Sequence, residues 1–270
     1  MRRPLLLYAG VCLALAVAVF LFAFHTTRGR AWDSEILRAA TAGRDIPSVQ
    51  SASDGLIETI SIGSLVLLGG GLVAVALLLG RARAALGAVL VIGAANGTTQ
   101  ALKPLIGDDR FPSGHATVAM SLALATVLVV SPSWKLLAGL VGGAYAAGVG
   151  VSLVIQAAHY PSDVAAGYLV AGAWAGAVCA LLPEAPDTPR EGSARAGFIA
   201  AAAAVTAFVV AVAIAVVEHP GIVVRVEDRT KLVFALAVLA GLALAVTVAQ
   251  AIALRSASTT RSWSPGSMPE

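Results

Sequence analysis

The chain has 270 residues, of which 58% are hydrophobic and 12% charged, and a formal net charge of +3. Soluble domains are about half apolar and about a quarter charged, so this balance points to a chain solvated by lipid. Lys and Arg are scattered between apolar runs instead of gathered in a stripe, which argues against nucleic acid and leaves the bilayer with its anionic headgroups as the electrostatic partner.

Residues 4–24 form an apolar run behind Arg2 and Arg3. About 20 residues at 1.5 Å rise cross a bilayer core, and the run exceeds the roughly 7–15 apolar residues of a secretory signal, so it reads as a retained anchor. Over 25–56 the sequence is polar, but Trp32, Ile36, Leu37 and Ala40 recur at helical spacing, the pattern of an amphipathic segment lying on the membrane surface. Further apolar runs at 57–80, 84–102, 115–130, 135–157 and 162–182 bring the spans to six. Asn96, Thr98, Thr99 and Gln100 fall inside one of them and are expected to bond between helices. Cys12 and Cys179 lie within apolar runs as packing residues.

A Pro-rich, charged linker over 183–195 precedes two Ala/Val-rich spans at 196–217 and 232–254. Their small residues permit close packing on the core or on another copy of the chain, which would make a homo-oligomer. Residues 255–270 are rich in Ser, Thr and Pro and are expected to be disordered. The predicted architecture is therefore an all-α, polytopic membrane helical bundle. It comprises an anchor and outer loop over 1–56, a core over 57–182, the linker, a helical pair over 196–254 and the tail.

Loop charges set the orientation. With Lys103 and Arg110 set aside as chemical, the remaining Lys and Arg divide nine to seven in favour of a cytoplasmic N-terminus. The C-terminus is then cytoplasmic too, and the loops at 103–114, 158–161 and 218–231 share the outer face. The expected location is a plasma membrane of bacterial type.

The chemistry-bearing residues gather on that face. Lys103 closes the third span, and Arg110 follows seven residues later, just before Pro112, Ser113, Gly114 and His115. Lys offers a point charge and Arg a planar fork of donors. Ser113 followed by Gly114 reads as a helix N-cap whose backbone N–H groups and dipole favour an anion. A second cluster, His159, Tyr160, Pro161, Ser162 and Asp163, opens the sixth span. Pro suits the first turn of a helix, and the four-residue spacing allows the Asp163 carboxylate to hold one nitrogen of His159. The other nitrogen is then free as a nucleophile or base.

Together these residues make a phosphoryl-transfer site. His159 attacks phosphorus, Asp163 steadies the resulting cation, and His115 protonates the leaving oxygen. Lys103, Arg110, Ser113 and Gly114 meet the phosphate charge. No cofactor is expected. A metal held by His115, His159, Asp108, Asp109 and Asp163 is conceivable, but the neighbouring Lys and Arg disfavour a cation.

The residues resemble the type 2 phosphatidic acid phosphatase superfamily of lipid phosphate phosphatases, whose motifs are Lys-x6-Arg-Pro, Pro-Ser-Gly-His and Ser-Arg-x5-His-x3-Asp. The first reads KPLIGDDRF over 103–111, the second PSGH over 112–115, and the third SLVIQAAHYPSD over 152–163. The resemblance implies a six-helix core, a phosphohistidine at His159 assisted by Asp163, general acid catalysis by His115, metal independence and a lipid phosphate substrate handled at the outer leaflet.

Three departures stand out. Leu153 occupies the place of a phosphate-binding Arg, Phe111 replaces the Pro after Arg110, and the first two motifs abut without the usual intervening loop. One lost charge-assisted contact costs about 1.5–3 kcal/mol, or roughly ten- to a hundredfold in rate. Arg225, Arg229 and Lys231 in the last outer loop are a source of compensating charge. Alternative outcomes are transfer of the phosphoryl group to a lipid hydroxyl and a relative with weak or no catalysis.

Overall fold

The computed structural model describes residues 2–41, 47–182 and 226–259. Within them the chain forms nine helices and no strand. They are α1 (Arg2–His25), α2 (Thr27–Thr41), α3 (Pro47–Glu58), α4 (Ile62–Leu78), α5 (Ala82–Ile106), α6 (Gly114–Val129), α7 (Lys135–Ile155), α8 (Pro161–Leu181) and α9 (Val226–Thr259). Five of these, α1, α5, α7, α8 and α9, are long and apolar enough to cross a membrane. The protein is an integral membrane protein built as a polytopic helical bundle.

The run predicted as one span over 57–80 is broken. The axes on either side of the break differ by 59°. Ser61 takes an extended backbone (φ −136°), accepts the Ser64 N–H at 3.0 Å and donates its own N–H to Ser64 Oγ at 2.8 Å. This capping box starts a new helix in the middle of an apolar run, a local signal that hydropathy alone does not register. The expected linker at 183–195 and span at 196–217 lie outside the described residues. α9 begins before the predicted 232 and continues to Thr259, so the first residues assigned to a disordered tail are helical.

α6 is the shortest apolar helix, 16 residues, and it occupies the centre, touched by α5, α7, α8 and α9. α1 lies along α8 and α9 along α7. The C-terminal helix is thus part of the main bundle, and glycine makes that possible. A Cβ on Gly143 of α7 would lie 2.5 Å from Thr247 Oγ1 and 3.2 Å from the Leu244 Cα of α9. In lipid, where apolar side chains gain little by leaving solvent, such close backbone approach and interhelical hydrogen bonds hold helices together. Asn96 donates to Ser121 Oγ at 3.1 Å, Thr99 and Thr117 hydroxyls meet at 3.0 Å, and Trp174 donates to Thr98 Oγ1 at 2.9 Å. Three of the four polar residues expected to bond between helices do so.

The far end of α6 is closed by cations. Lys135 Nζ donates to the carbonyls of Val127 and Leu128 at 3.1 and 3.4 Å, and Arg81 Nη1 donates to Val129 O at 2.9 Å. These are last-turn carbonyls that the helix itself leaves unpaired.

α2 confirms the predicted helical period over Trp32, Ile36 and Ala40, but its apolar side meets protein. Ile36 and Ala40 are fully buried, and the helix packs on α1, α7, α8 and α9. It covers the end of the bundle at which α6 and α8 begin.

Candidate active site

Two helix starts meet at that end. Ser113 is the N-cap of α6, with an extended backbone (φ −66°, ψ 119°), and its hydroxyl accepts the Ala116 N–H at 3.4 Å. The Ser113 N–H donates to the backbone carbonyl of Asp163 at 2.9 Å, tying the α6 start to the first turn of α8. Gly167 of α8 makes the approach possible, because a Cβ there would lie 2.8 Å from Ser113 O. Helix geometry leaves the N–H groups of Gly114 and His115 without carbonyl partners of their own. Ser113 itself is fully buried, its hydroxyl turned into the cap.

The second histidine is delivered by the turn that ends α7. Ala157 N–H donates to Val154 O at 2.9 Å and Ala158 N–H to Leu153 O at 3.0 Å, the two bonds of a Schellman ending. Such an ending needs a left-handed residue, and here it is Ala157 with φ 54°, which costs an L-residue about 1–2 kcal/mol. His159 N–H also bonds Leu153 O, at 3.3 Å, so the histidine leaves the turn in a fixed direction. Leu153 is 1% exposed and packs within the core, so no open socket stands where an Arg was expected.

His159 Nδ1 lies 3.3 Å from Asp163 Oδ2, the same oxygen that accepts the Tyr160 N–H at 2.9 Å. The His159 side chain is 12% exposed and that of Asp163 3%. The His115 ring faces His159 with centroids 6.5 Å apart and planes inclined at 56°. Lys103 is the cationic neighbour that acts on His115. The exposed Arg110 holds its guanidinium carbon 5.8 Å from the centre of the Tyr160 ring, a cation–π placement beside His159. Asp108 accepts the Arg110 N–H at 2.7 Å, so its carboxylate is engaged in its own turn. Lys103, Arg110, Ser113, Gly114, His115, His159 and Asp163 are therefore gathered at one end of the bundle.

Asp33 was not anticipated. From α2 its Oδ2 accepts the Ser162 hydroxyl at 2.6 Å and its Oδ1 the Ser162 N–H at 3.3 Å, in the first turn of α8 next to Asp163. It is 5% exposed. Burial pushes its carboxyl up to about 6, against the pull of the two Ser162 bonds and with a further push from Asp163. The available signal was a carboxylate inside the apolar stripe of α2, three residues before Ile36 and seven before Ala40. Of the cations proposed to compensate for Leu153, Lys231 pairs with Glu35 of α2 at 2.8 Å and holds its carboxyl below the usual range. Arg225 lies outside the described residues.

The family model of the PAP2 superfamily matches residues 72–187. Over that stretch the chain is similar to the PAP2 superfamily. No curated protein and no solved structure matches the chain. PAP2 members are generally phosphatases, so the likeness supports phosphoester hydrolysis as the class of chemistry. The matched stretch holds every residue of the site predicted from sequence, whereas Asp33, α1 and α9 lie outside it. Among the described residues no group of three or more His, Cys, Asp or Glu is arranged to hold a metal ion.

Proposed function

We propose that this protein is a lipid phosphate phosphatase that hydrolyses a phosphomonoester or pyrophosphate of a membrane lipid through a phosphohistidine. The observation that carries the reading is the His159–Asp163 pair facing His115 at the start of α6. With Nδ1 turned to Asp163, Nε2 of His159 is the free nitrogen, and it attacks phosphorus as the bond to the leaving oxygen breaks. His115 gives its proton to that oxygen, then takes one from the water that attacks phosphorus and breaks the P–N bond. Two hydrogen bonds of about 2.8 Å to a single phosphoryl group span a gap of the size between the rings. Lys103, Arg110 and the N–H groups of Gly114 and His115 meet the equatorial oxygens. The loop charges favour the extracytoplasmic face for the site, with both termini cytoplasmic.

The test is phosphate release from a panel of lipid phosphates by detergent-purified protein, compared with His159→Ala and His115→Ala. Turnover is expected to vanish in both variants and to survive chelation with EDTA. Release from no substrate would sink the enzyme reading, and release untouched by His159→Ala would sink the nucleophile. An acceptor alcohol added to the assay separates hydrolysis from transfer, because a phosphorylated alcohol would make the protein a phosphotransferase using the same residues.

A further inference from the structure

Directly beneath Phe111 and Pro112 a cavity of about 370 Å³ opens between α1, α5 and α8. At the site end it is walled by Phe20, Ile106 and Ala166, and at the far end by Leu13, Thr98 and Trp174. Ala166 and Trp174 are eight residues apart on one helix, so the groove is about 12 Å deep along the bilayer normal. Its lining is almost wholly apolar, and the polar atoms at its far end are bonded to each other, Trp174 Nε1 to Thr98 Oγ1 at 2.9 Å. A larger hollow of about 580 Å³ between α4, α6 and α7 is lined by no residue of the loop that leads into Ser113, whereas Phe111 and Pro112 line the first, so position and not volume singles it out.

We infer that this groove seats one apolar chain of the substrate, with the Trp174–Thr98 pair as its floor, so that chain length sets how well the headgroup is positioned. The inference rests on the phosphatase reading above. Its basis is covalent continuity: Phe111 and Pro112 roof the groove, and the next residue is Ser113, which caps α6 in the phosphate cluster. The roof is also tied to α1, because the Phe20 and Phe24 rings sit 5.7 and 5.1 Å from the Phe111 ring. A chain leaving bulk lipid for this groove gains little hydrophobic energy. What the groove supplies is packing and register, and a headgroup misplaced by about 1 Å loses roughly a hundredfold in rate. α1 lies outside the stretch that the PAP2 model matches, whereas α5 and α8 lie within it.

The experiment compares kcat/KM for monoalkyl phosphates from butyl to hexadecyl, held at one mole fraction in mixed micelles. For the parent, kcat/KM is expected to rise with chain length and level off once the chain reaches the floor. Ala173→Leu, which narrows the groove just above the Trp174 floor, should lower the hexadecyl-to-butyl ratio about tenfold. Trp174→Ala should move the plateau to longer chains, and Trp174→Phe, which keeps the ring and removes the donor, should do so less. An unchanged ratio in Ala173→Leu overturns the proposal. Independently of turnover, an alkyl phosphate bearing a photoreactive group near the chain end should label the α1, α5 and α8 segments around Leu13, Thr98 and Trp174. Labelling competed equally by alkanol and by alkyl phosphate would mean ordinary boundary lipid and overturn the proposal. Groove labelling with no phosphate release from any chain length would instead overturn the phosphatase reading and keep the groove.

Discussion

The two ends of α6 carry opposite halves of one helix dipole, and the protein treats them in opposite ways. At the C-terminal end Lys135 and Arg81 bond the carbonyls of Val127, Leu128 and Val129, so the negative end is closed by the chain's own cations. At the N-terminal end, among the described residues, the cap acceptor is the Ser113 hydroxyl and not a carboxylate. Ser113 covers one N–H through its hydroxyl, and the cluster around it is His115, His159, Lys103 and Arg110. Asp163, whose backbone carbonyl accepts the Ser113 N–H, turns its carboxylate to His159 and Tyr160. A helix sealed by cations at one end and faced by donors and cations at the other suits the phosphate ester of the proposed function.

The contrast breaks most sharply if the open end loses its histidine geometry. Asp163→Asn should lower kcat/KM by roughly 10³–10⁴-fold, because an amide no longer fixes the His159 tautomer or steadies its cation. Thermal unfolding should change little, since the amide oxygen can still accept from Tyr160. A drop of less than tenfold would remove His159 from the role of nucleophile.

A smaller effect concerns Asp33, which supports the start of α8. Its folded carboxyl sits near 6, above the ordinary 3.8, so its ionised form is the disfavoured one in the fold. Its contribution is therefore most favourable below about pH 4, falls as pH rises from about 4 to 6 and is level above that, a loss on the order of 3 kcal/mol. Asn in its place still accepts from Ser162 and carries no charge. Melting curves of Asp33→Asn should therefore lose that part of the pH dependence, and curves parallel to those of the parent across the window would place the titration elsewhere.

Smaller again is the effect of opening the sealed end. Lys135→Met leaves buried carbonyls at the α6 C-terminus without their donor and should cost about 1–3 kcal/mol in unfolding, with kcat per folded molecule unchanged. Lost turnover at full stability would mean that the sealed end takes part in the chemistry.

What the sequence made legible was local. Apolar runs located α1, α5, α7, α8 and α9, though not the break inside 57–80 or the shortness of α6, and PSGH with HYPSD located two helix starts, because those signals are local to the residues they describe. The rest depended on what folding brings together. Asp33 finds Ser162 across 129 residues, and nothing in α2 alone names that partner. The Schellman ending of α7 lacked its usual glycine, since Ala157 takes the left-handed position. Leu153 read as a gap beside the phosphate, yet its side chain fills the core and only its carbonyl serves the site, by holding the turn before His159.

Ser113 gives the mildest and most discriminating test of the open end. The sequence placed it at a helix N-cap whose backbone N–H groups meet phosphate, and its side chain is fully buried and bonded to the Ala116 N–H. A cap that only shapes the helix start predicts a modest result for Ser113→Ala. Unfolding should lose about 1 kcal/mol and kcat/KM only a few-fold, as the N–H groups of Gly114 and His115 lose orientation. Ser113→Gly should cost only a few tenths of a kcal/mol, since glycine is tolerated at an N-cap. A hydroxyl on the phosphate predicts the reverse, a rate loss of a hundredfold or more with stability intact, alike in both variants. Measuring melting and kcat/KM on the same preparations therefore decides whether the anion is met by backbone donors and cations alone, which is the arrangement that separates this end of α6 from the other.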